Sequence, residues 1–218
     1  MNYFNRVIPA ILDFFLPKSQ LDRAVNAVTA DVLSKKLLCG KEIENKSIYV
    51  LFDYRDEIIK HMIWSLKYRR NRQIAKVFAQ MLNDFMVEEL SDLNIYSNFN
   101  RPLLVPIPLS KRKFRKRGFN QTEILAKEIA AIGDNCFYTV DAGLFKKIKD
   151  TPNQTALEKK ERLKNVIGAF EVSSKEKIKE RNIILLDDVT TTGATLKEGR
   201  KVLLEAGAKN VLCVAVAH

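Results

Sequence analysis

Apolar positions along the chain follow two periods, and the alternation between them sets out the architecture. Ile183, Ile184, Leu185 and Leu186 form an unbroken, partly β-branched apolar run, the pattern of a strand covered on both faces. Residues 47–54, 102–109, 136–145, 166–172 and 211–217 read as further strands, the second despite its prolines, which strand ends tolerate. Between them the period lengthens to that of a helix. Asp56 can open a helix with Ile58, Ile59, Met62, Ile63 and Leu66 on one face, and residues 73–90 carry Ile74, Val77, Phe78, Met81, Leu82 and Phe85 on one face of a second. A helix from 118–121 runs through Ile124, Leu125, Ile129 and Ile132, and another follows Gly193 with Leu196, Gly199, Leu203 and Ala206, closed by Gly207. Residues 91–100 read as a loop, and residues 21–38 as a helix on Leu21, Val25, Val28 and Val32. Strands separated by helices predict a mostly parallel α/β sheet with right-handed crossovers. Residues 47–218 would form this domain, and residues 1–46 a small, mostly helical appendage.

With 218 residues, 46% of them hydrophobic, the chain can bury one full core. Its formal net charge of +11 points to polyanions: phosphorylated metabolites, nucleic acid or an anionic membrane surface. The three cysteines, Cys39, Cys136 and Cys213, are far apart and signal neither a disulfide framework nor a zinc site, so reduced cytosol is the expected compartment. Two histidines, His61 and His218, argue against a histidine-based triad or a three-histidine metal site. The apolar run 7–16 is interrupted by Pro9 and Asp13 and is too short to span a bilayer. It reads as an amphipathic segment that packs on the domain.

The chemistry concentrates at residues 183–196. Asp187 and Asp188 sit where the apolar strand ends, and carriers of paired hydroxyls, such as a ribose, bind carboxylates placed in the crevice beyond an open sheet's strand ends. Val189, Thr190, Thr191, Thr192, Gly193, Ala194 and Thr195 then turn into a helix start, where unpaired N–H groups, threonine hydroxyls and the positive dipole end suit a phosphate. An ordinary capped βα turn is the bland alternative. Neither GxxxxGK[ST] nor GxGxxG occurs. Lys111, Arg112, Lys113, Phe114, Arg115, Lys116 and Arg117 form a basic run, six cations in seven residues, which reads as a loop facing the same crevice or as a solvated face. Residues 146–165 form a long, lysine-rich connection, expected to act as a lid.

The stretch DDVTTTGAT resembles the PRPP-binding motif of the type I phosphoribosyltransferases, PRPP being 5-phosphoribosyl 1-diphosphate. The resemblance implies that Asp187 and Asp188 hold the ribose 2- and 3-hydroxyls, and that residues 190–195 cradle the 5-phosphate. Beyond the motif, LKY at 66–68, VPIPLS at 105–110, RKRGFNQ at 115–121, TPNQTAL at 151–157 and Arg162, Asn165 and GAF at 168–170 resemble, in that order, the ComF family associated with DNA uptake in naturally competent bacteria. That family commonly carries an N-terminal four-cysteine zinc ribbon. Here Cys39 alone cannot build a tetrahedral site, so zinc is not expected.

The resemblance implies a type I phosphoribosyltransferase-like parallel sheet flanked by helices, with Mg²⁺ arriving on PRPP rather than held directly by protein ligands. Displacement of pyrophosphate from an anomeric carbon needs leaving-group charge stabilised and water excluded. Arg115 and Arg117, with Lys146, Lys147 or Arg162, are the candidates for that contact beside Asp187 and Asp188. The function classes left open are a PRPP-binding DNA-uptake factor, a salvage or metabolic phosphoribosyltransferase of unknown acceptor, and a PRPP-sensing regulator. For the first, Lys111 to Lys116, with Phe114 for base stacking, would contact single-stranded DNA, and competence-machinery proteins would be further partners.

Overall fold

The computed structural model describes residues 25, 27–38, 41–43, 48–97, 99–132, 139–150 and 165–218. Among them the chain runs α1 (Ala30–Ser34), β1 (Lys41–Ile43), β2 (Ile48–Phe52), α2 (Glu57–Arg69), α3 (Arg72–Ser97), β3 (Leu103–Pro106), α4 (Lys111–Arg117), α5 (Gln121–Ile132), β4 (Thr139–Val140), β5 (Phe145–Lys147), β6 (Phe170–Val172), β7 (Asn182–Val189), α6 (Ala194–Glu205) and β8 (Asn210–Ala217).

Six strands form one sheet in the order β1-β2-β8-β7-β3-β4. All neighbours are parallel except β1, which runs antiparallel along β2 at the edge. The expected parallel α/β sheet is therefore present, with β7 at its interior, paired from Asn182↔Asn210 to Val189↔Ala217 on β8 and from Leu103↔Ile183 on β3. The pleat sends alternate residues to two apolar layers. Ile184 and Leu186 of β7 and Val214 and Val216 of β8 meet α2, α3 and α5 through Ile59, Met62, Leu66, Phe78, Leu82, Leu125 and Ile129. Ile183, Leu185, Cys213 and Ala215 face the opposite side, against Leu196 and Leu203 of α6 and Phe145 and Phe170. Burial pushes the Cys213 thiol up to about 12, which leaves it unreactive.

Local chemistry explains the helix starts. Asp56 caps α2, its Oδ1 accepting from the amides of Ile58 at 2.9 Å and Ile59 at 3.2 Å, and its carboxylate also pairs with Lys36. Asn71 does the same for α3 through the amides of Gln73 and Ile74.

Several sequence expectations need correction. Residues 91–97, expected as a loop, continue α3 to Ser97. The basic run is the helix α4, because Ser110 caps its start, accepting from the Lys113 amide at 3.4 Å, and Gly118 ends it at φ 79 with its amide donating to Phe114 O at 2.7 Å. The strand expected over 136–145 is split: β4 joins the main sheet, a turn follows in which Asp141 Oδ1 accepts from the Gly143 amide at 3.0 Å, and β5 starts at Phe145. Residues 166–172 do not extend the parallel sheet; β6 pairs antiparallel with β5, Phe145 opposite Val172, in a separate two-stranded sheet. Lys146 and Lys147 thus belong to a hairpin rather than to the long connection, of which residues 151–164 lie outside the described residues. Within the helix expected over 21–38, residues 25 and 27–38 are described, and the chain is helical over α1, Ala30–Ser34, but not over 27–29 or 35–38; residues 21–24 and 26 lie outside the described residues. No helix among the described residues is long and apolar enough to cross a membrane.

Candidate functional site

The interior position of β7 places its last residues at the C-terminal edge of the sheet, between β3 and β8. Asp187 and Asp188 are both buried there. The Asp188 backbone amide donates to Asp187 Oδ1 at 2.8 Å, which orients the Asp187 carboxyl against the backbone at the end of β7. Burial, reinforced by the charge of Asp188, pushes the Asp187 carboxyl up to about 8. Thr190 then anchors the turn: its amide donates to Ala217 O at 3.0 Å and its carbonyl lies 3.3 Å from His218 Nδ1. Thr190 is buried, Thr191 is exposed, and Thr192 Oγ1 accepts from the Ala194 amide at 3.4 Å. Gly193, at the N-cap of α6, takes φ 70, a left-handed conformation that side chains disfavour, and offers no side-chain cap of its own. Val189 to Thr195 thus form the strand-turn-helix that the sequence predicts.

Lysines surround this acidic pair. Lys67, from the last turn of α2, brings Nζ to 3.2 Å from Asp188 Oδ2. The contact is coulombic rather than an aligned hydrogen bond, because Asp188 Oδ2 is buried with no hydrogen-bond partner. Sequence reading included Lys67 in the LKY block but gave it no role. The contact joins residues 121 positions apart, and only the packing of α2 on β7 reveals it.

Lys147 stands over the Phe170 ring at 5.3 Å and is pushed down to about 8 by burial and by the charge of Lys113, while Asp187 pulls it back up. Lys113 is lowered in turn by burial and by Arg117 and Lys67, against the pull of Asp187 and Asp188. Lys113, assigned from sequence to nucleic acid, is therefore half-buried and within electrostatic reach of the carboxylates, whereas Lys111, Arg112, Phe114, Arg115 and Lys116 are exposed on α4.

Arg117, from the last turn of α4, reaches back to Gln121 Oε1 at 2.7 Å and covers the Tyr68 ring at 5.1 Å. Asn120 and Thr122 brace the loop below, donating to Ile107 O at 3.1 and 2.6 Å. Arg162 lies outside the described residues. Asp150, at the start of the long connection, is held below the usual carboxylate range by a hydrogen bond with Ser110, aided by the Arg112 amide and by the charges of Arg112 and Arg115. Sequence reading missed this second cap on the basic helix.

Among the described residues no three His, Cys, Asp or Glu side chains gather as a metal site. Two buried carboxylates are too few to hold a divalent ion by themselves, so an ion at this site would bring most of its ligands with it, as Mg²⁺ on a diphosphate does.

No family model matches the chain. It is 32% identical over 109 residues to competence protein F of Haemophilus influenzae, across 50% of this chain and 46% of that one. With competence protein ComFC of Bacillus subtilis the identity is 28% over 165 residues, across 75% and 59%. By sequence it is similar to the ComF competence proteins. It is also similar to the DNA utilization protein YhgH of Salmonella typhimurium, at 28% over 152 residues, across 69% and 63%. The chain thus spans 46 to 63% of the length of these three relatives. Among solved structures it is similar to a hypoxanthine phosphoribosyltransferase of Staphylococcus aureus (14% identity, TM-score 0.37, covering 66% of this chain and 63% of that one). It is also similar to the hypoxanthine-guanine phosphoribosyltransferase of L. donovani (14%, 0.37, 66% and 67%).

Proposed function

We propose that this ComF-type chain binds PRPP with Mg²⁺ at the C-terminal edge of β7 and supports the handling of single-stranded DNA during uptake. The observation that carries the ligand reading is the buried Asp187–Asp188 pair, ringed by Lys67, Lys113 and Lys147 and followed directly by the hydroxyl turn and the start of α6. A ribose diol supplies hydroxyls to the carboxylates, a 5-phosphate meets the 190–195 turn, and the lysines face the diphosphate. Burying two acids beside three ammonium groups without such a ligand is costly, which is why the arrangement reads as a binding site rather than a structural one.

The DNA reading rests on the relatives' names, competence protein and DNA utilization protein, and on α4, which exposes Lys111, Arg112, Arg115 and Lys116 around Phe114. Phe114 is 45% exposed rather than tucked into the core, so its face is open to a base.

Calorimetry with Mg²⁺ and PRPP, then with a single-stranded oligonucleotide, tests both halves. At a hundredfold excess over its dissociation constant PRPP adds about 2.7 kcal/mol of stability, which for a chain of this size raises Tm by roughly 5–11 °C. An unchanged Tm at millimolar Mg²⁺-PRPP rejects the ligand. Pyrophosphate release in the presence of a nucleobase would move the reading to a salvage phosphoribosyltransferase.

A further inference from the structure

Helix α2 buries one ridge and exposes another of unusual composition. Ile59, Met62, Ile63 and Leu66 are fully buried, while Trp64 is 38% and Tyr68 52% exposed. Residues 61, 64 and 68 fall three and four apart and so lie in one row along the helix. Their rings touch in sequence: His61 stacks with Trp64 at 5.6 Å between centroids, and Trp64 meets Tyr68 at 5.8 Å. Guanidinium groups flank the row. Arg69 lies over the Trp64 ring at 4.9 Å and Arg117 of α4 over Tyr68 at 5.1 Å, which joins this ridge to the basic helix, and Arg70 lies over Phe119 at 5.7 Å. Scattered exposed apolar residues need no explanation, whereas a connected row of large aromatics does.

We propose that the Trp64–Tyr68 ridge is a base-stacking platform for a single strand of nucleic acid, continuous with α4. Charge complementarity selects the occupant. Residues 58–83 contain Lys60, Lys67, Arg69, Arg70, Arg72 and Lys76 and no Asp or Glu, and residues 101–122 are likewise free of acids. Within these two segments every charged residue is a cation, which draws a phosphate backbone to the ridge. Flat rings beside guanidinium groups offer faces to unpaired bases, which a duplex keeps inside its stack. On α4 the strand would continue over Phe114, beside a depression of about 440 Å³ lined by Leu109, Lys111, Phe114 and Arg115.

The inference rests on the DNA half of the proposed function, and the two are separable because Trp64 is the chain's sole tryptophan. The full chain is titrated at low salt with an oligothymidylate of about 20 nucleotides, following tryptophan fluorescence and the anisotropy of a labelled strand together. Quenching that saturates in step with anisotropy is expected, with Tyr68→Ala and Trp64→Ala each weakening binding about tenfold, from the stacking lost per base. Trp64→Leu, which keeps apolar bulk and loses the indole face, should weaken binding equally if Trp64→Ala perturbs folding. Rising anisotropy with unchanged fluorescence and variants of native affinity would overturn the platform while leaving DNA binding on α4 intact. Flat anisotropy removes DNA binding itself. Equal quenching by duplex of the same length, or fluorescence that depends on protein concentration without oligonucleotide, overturns the platform in favour of a duplex groove or of self-association.

Discussion

Replacing Asp187 with asparagine should make the unliganded protein more stable at pH 8 while destroying the site. Asp187 is raised from an ordinary 3.8 to about 8, first by burial and then by the Asp188 charge, against the Asp188 amide hydrogen bond and the attraction of Lys67 and Lys147. Between pH 4 and 8 the folded chain therefore holds a proton that the unfolded chain has released. Stability falls as pH rises through that window, is undiminished below pH 4, and carries the whole penalty above pH 8. At about 1.36 kcal/mol per pH unit the ceiling is about 5–6 kcal/mol. Relaxation and water entry around an ionising buried group reduce this, and about 2–3 kcal/mol is the expected size. An Asn at this position keeps the shape of the protonated acid and never ionises. D187N should match the native chain near pH 4 and exceed its Tm at pH 8 by roughly 4–12 °C, with no PRPP-induced shift at either pH. Lys147, lowered to about 8, acts in the opposite sense: its penalty is present below pH 8 and is relieved as pH climbs toward 10.5, so the two windows do not overlap. Thermal melts by circular dichroism at half-unit steps from pH 4 to 8.5 decide the matter. A native Tm that is flat or rises from pH 4 to 8, or a D187N protein less stable than native at pH 8, refutes the reasoning.

Lys67→Met removes the ammonium 3.2 Å from Asp188 Oδ2 and leaves two acids facing one another. PRPP affinity at pH 7 should fall at least about tenfold, as for loss of a buried charge partner, with much of the loss recovered at higher pH, and calorimetry at pH 7 and 9 reads both. K111A/K116A removes two exposed cations and spares Lys113 and the Arg112–Asp150 contact, so log affinity for single-stranded DNA against log salt should lose about 1.4 of its slope, at about 0.7 per contact, while PRPP binding stays native. Gly199→Ala places a Cβ 2.8 Å from Leu185 Cδ2 and 3.4 Å from Ile107 and Phe145, where α6 sits on the sheet. Urea unfolding should show a net loss of about 1–2 kcal/mol after the helix preference for alanine is counted, and weaker PRPP binding should accompany it as the 190–195 turn moves.

Local patterns carried β7, its acidic pair and its turn into view, because a fully covered strand leaves an unbroken apolar run and its end is marked by polarity. The stripe Ile59, Met62, Ile63, Leu66 likewise made α2 readable, since burial on one face imposes the helical period. Helix α4 has no apolar face to impose a period; it exists because of Ser110 and Gly118 at its ends, and reading KRKFRKR by hydrophobicity alone gives a loop. The end of α3, SDLNIYS at 91–97, is mostly polar and fails for the same reason. The β5–β6 hairpin and the reach of Lys67 to Asp188 depend on partners distant in sequence, and no local window contains both members of either pair.

For a chain that binds both PRPP and a polyanion, Asp150 would make the two sites thermodynamically reciprocal. Its carboxylate shares Ser110 with the start of α4 and stands three residues after Lys147, so one short segment touches both the basic helix and the lysine beside the acidic pair. A polyanion that draws Arg112 and Arg115 away from Asp150 alters the tether on which Lys147 rides. By linkage, whatever factor such a polyanion imposes on the affinity for PRPP, PRPP must return on the affinity for the polyanion.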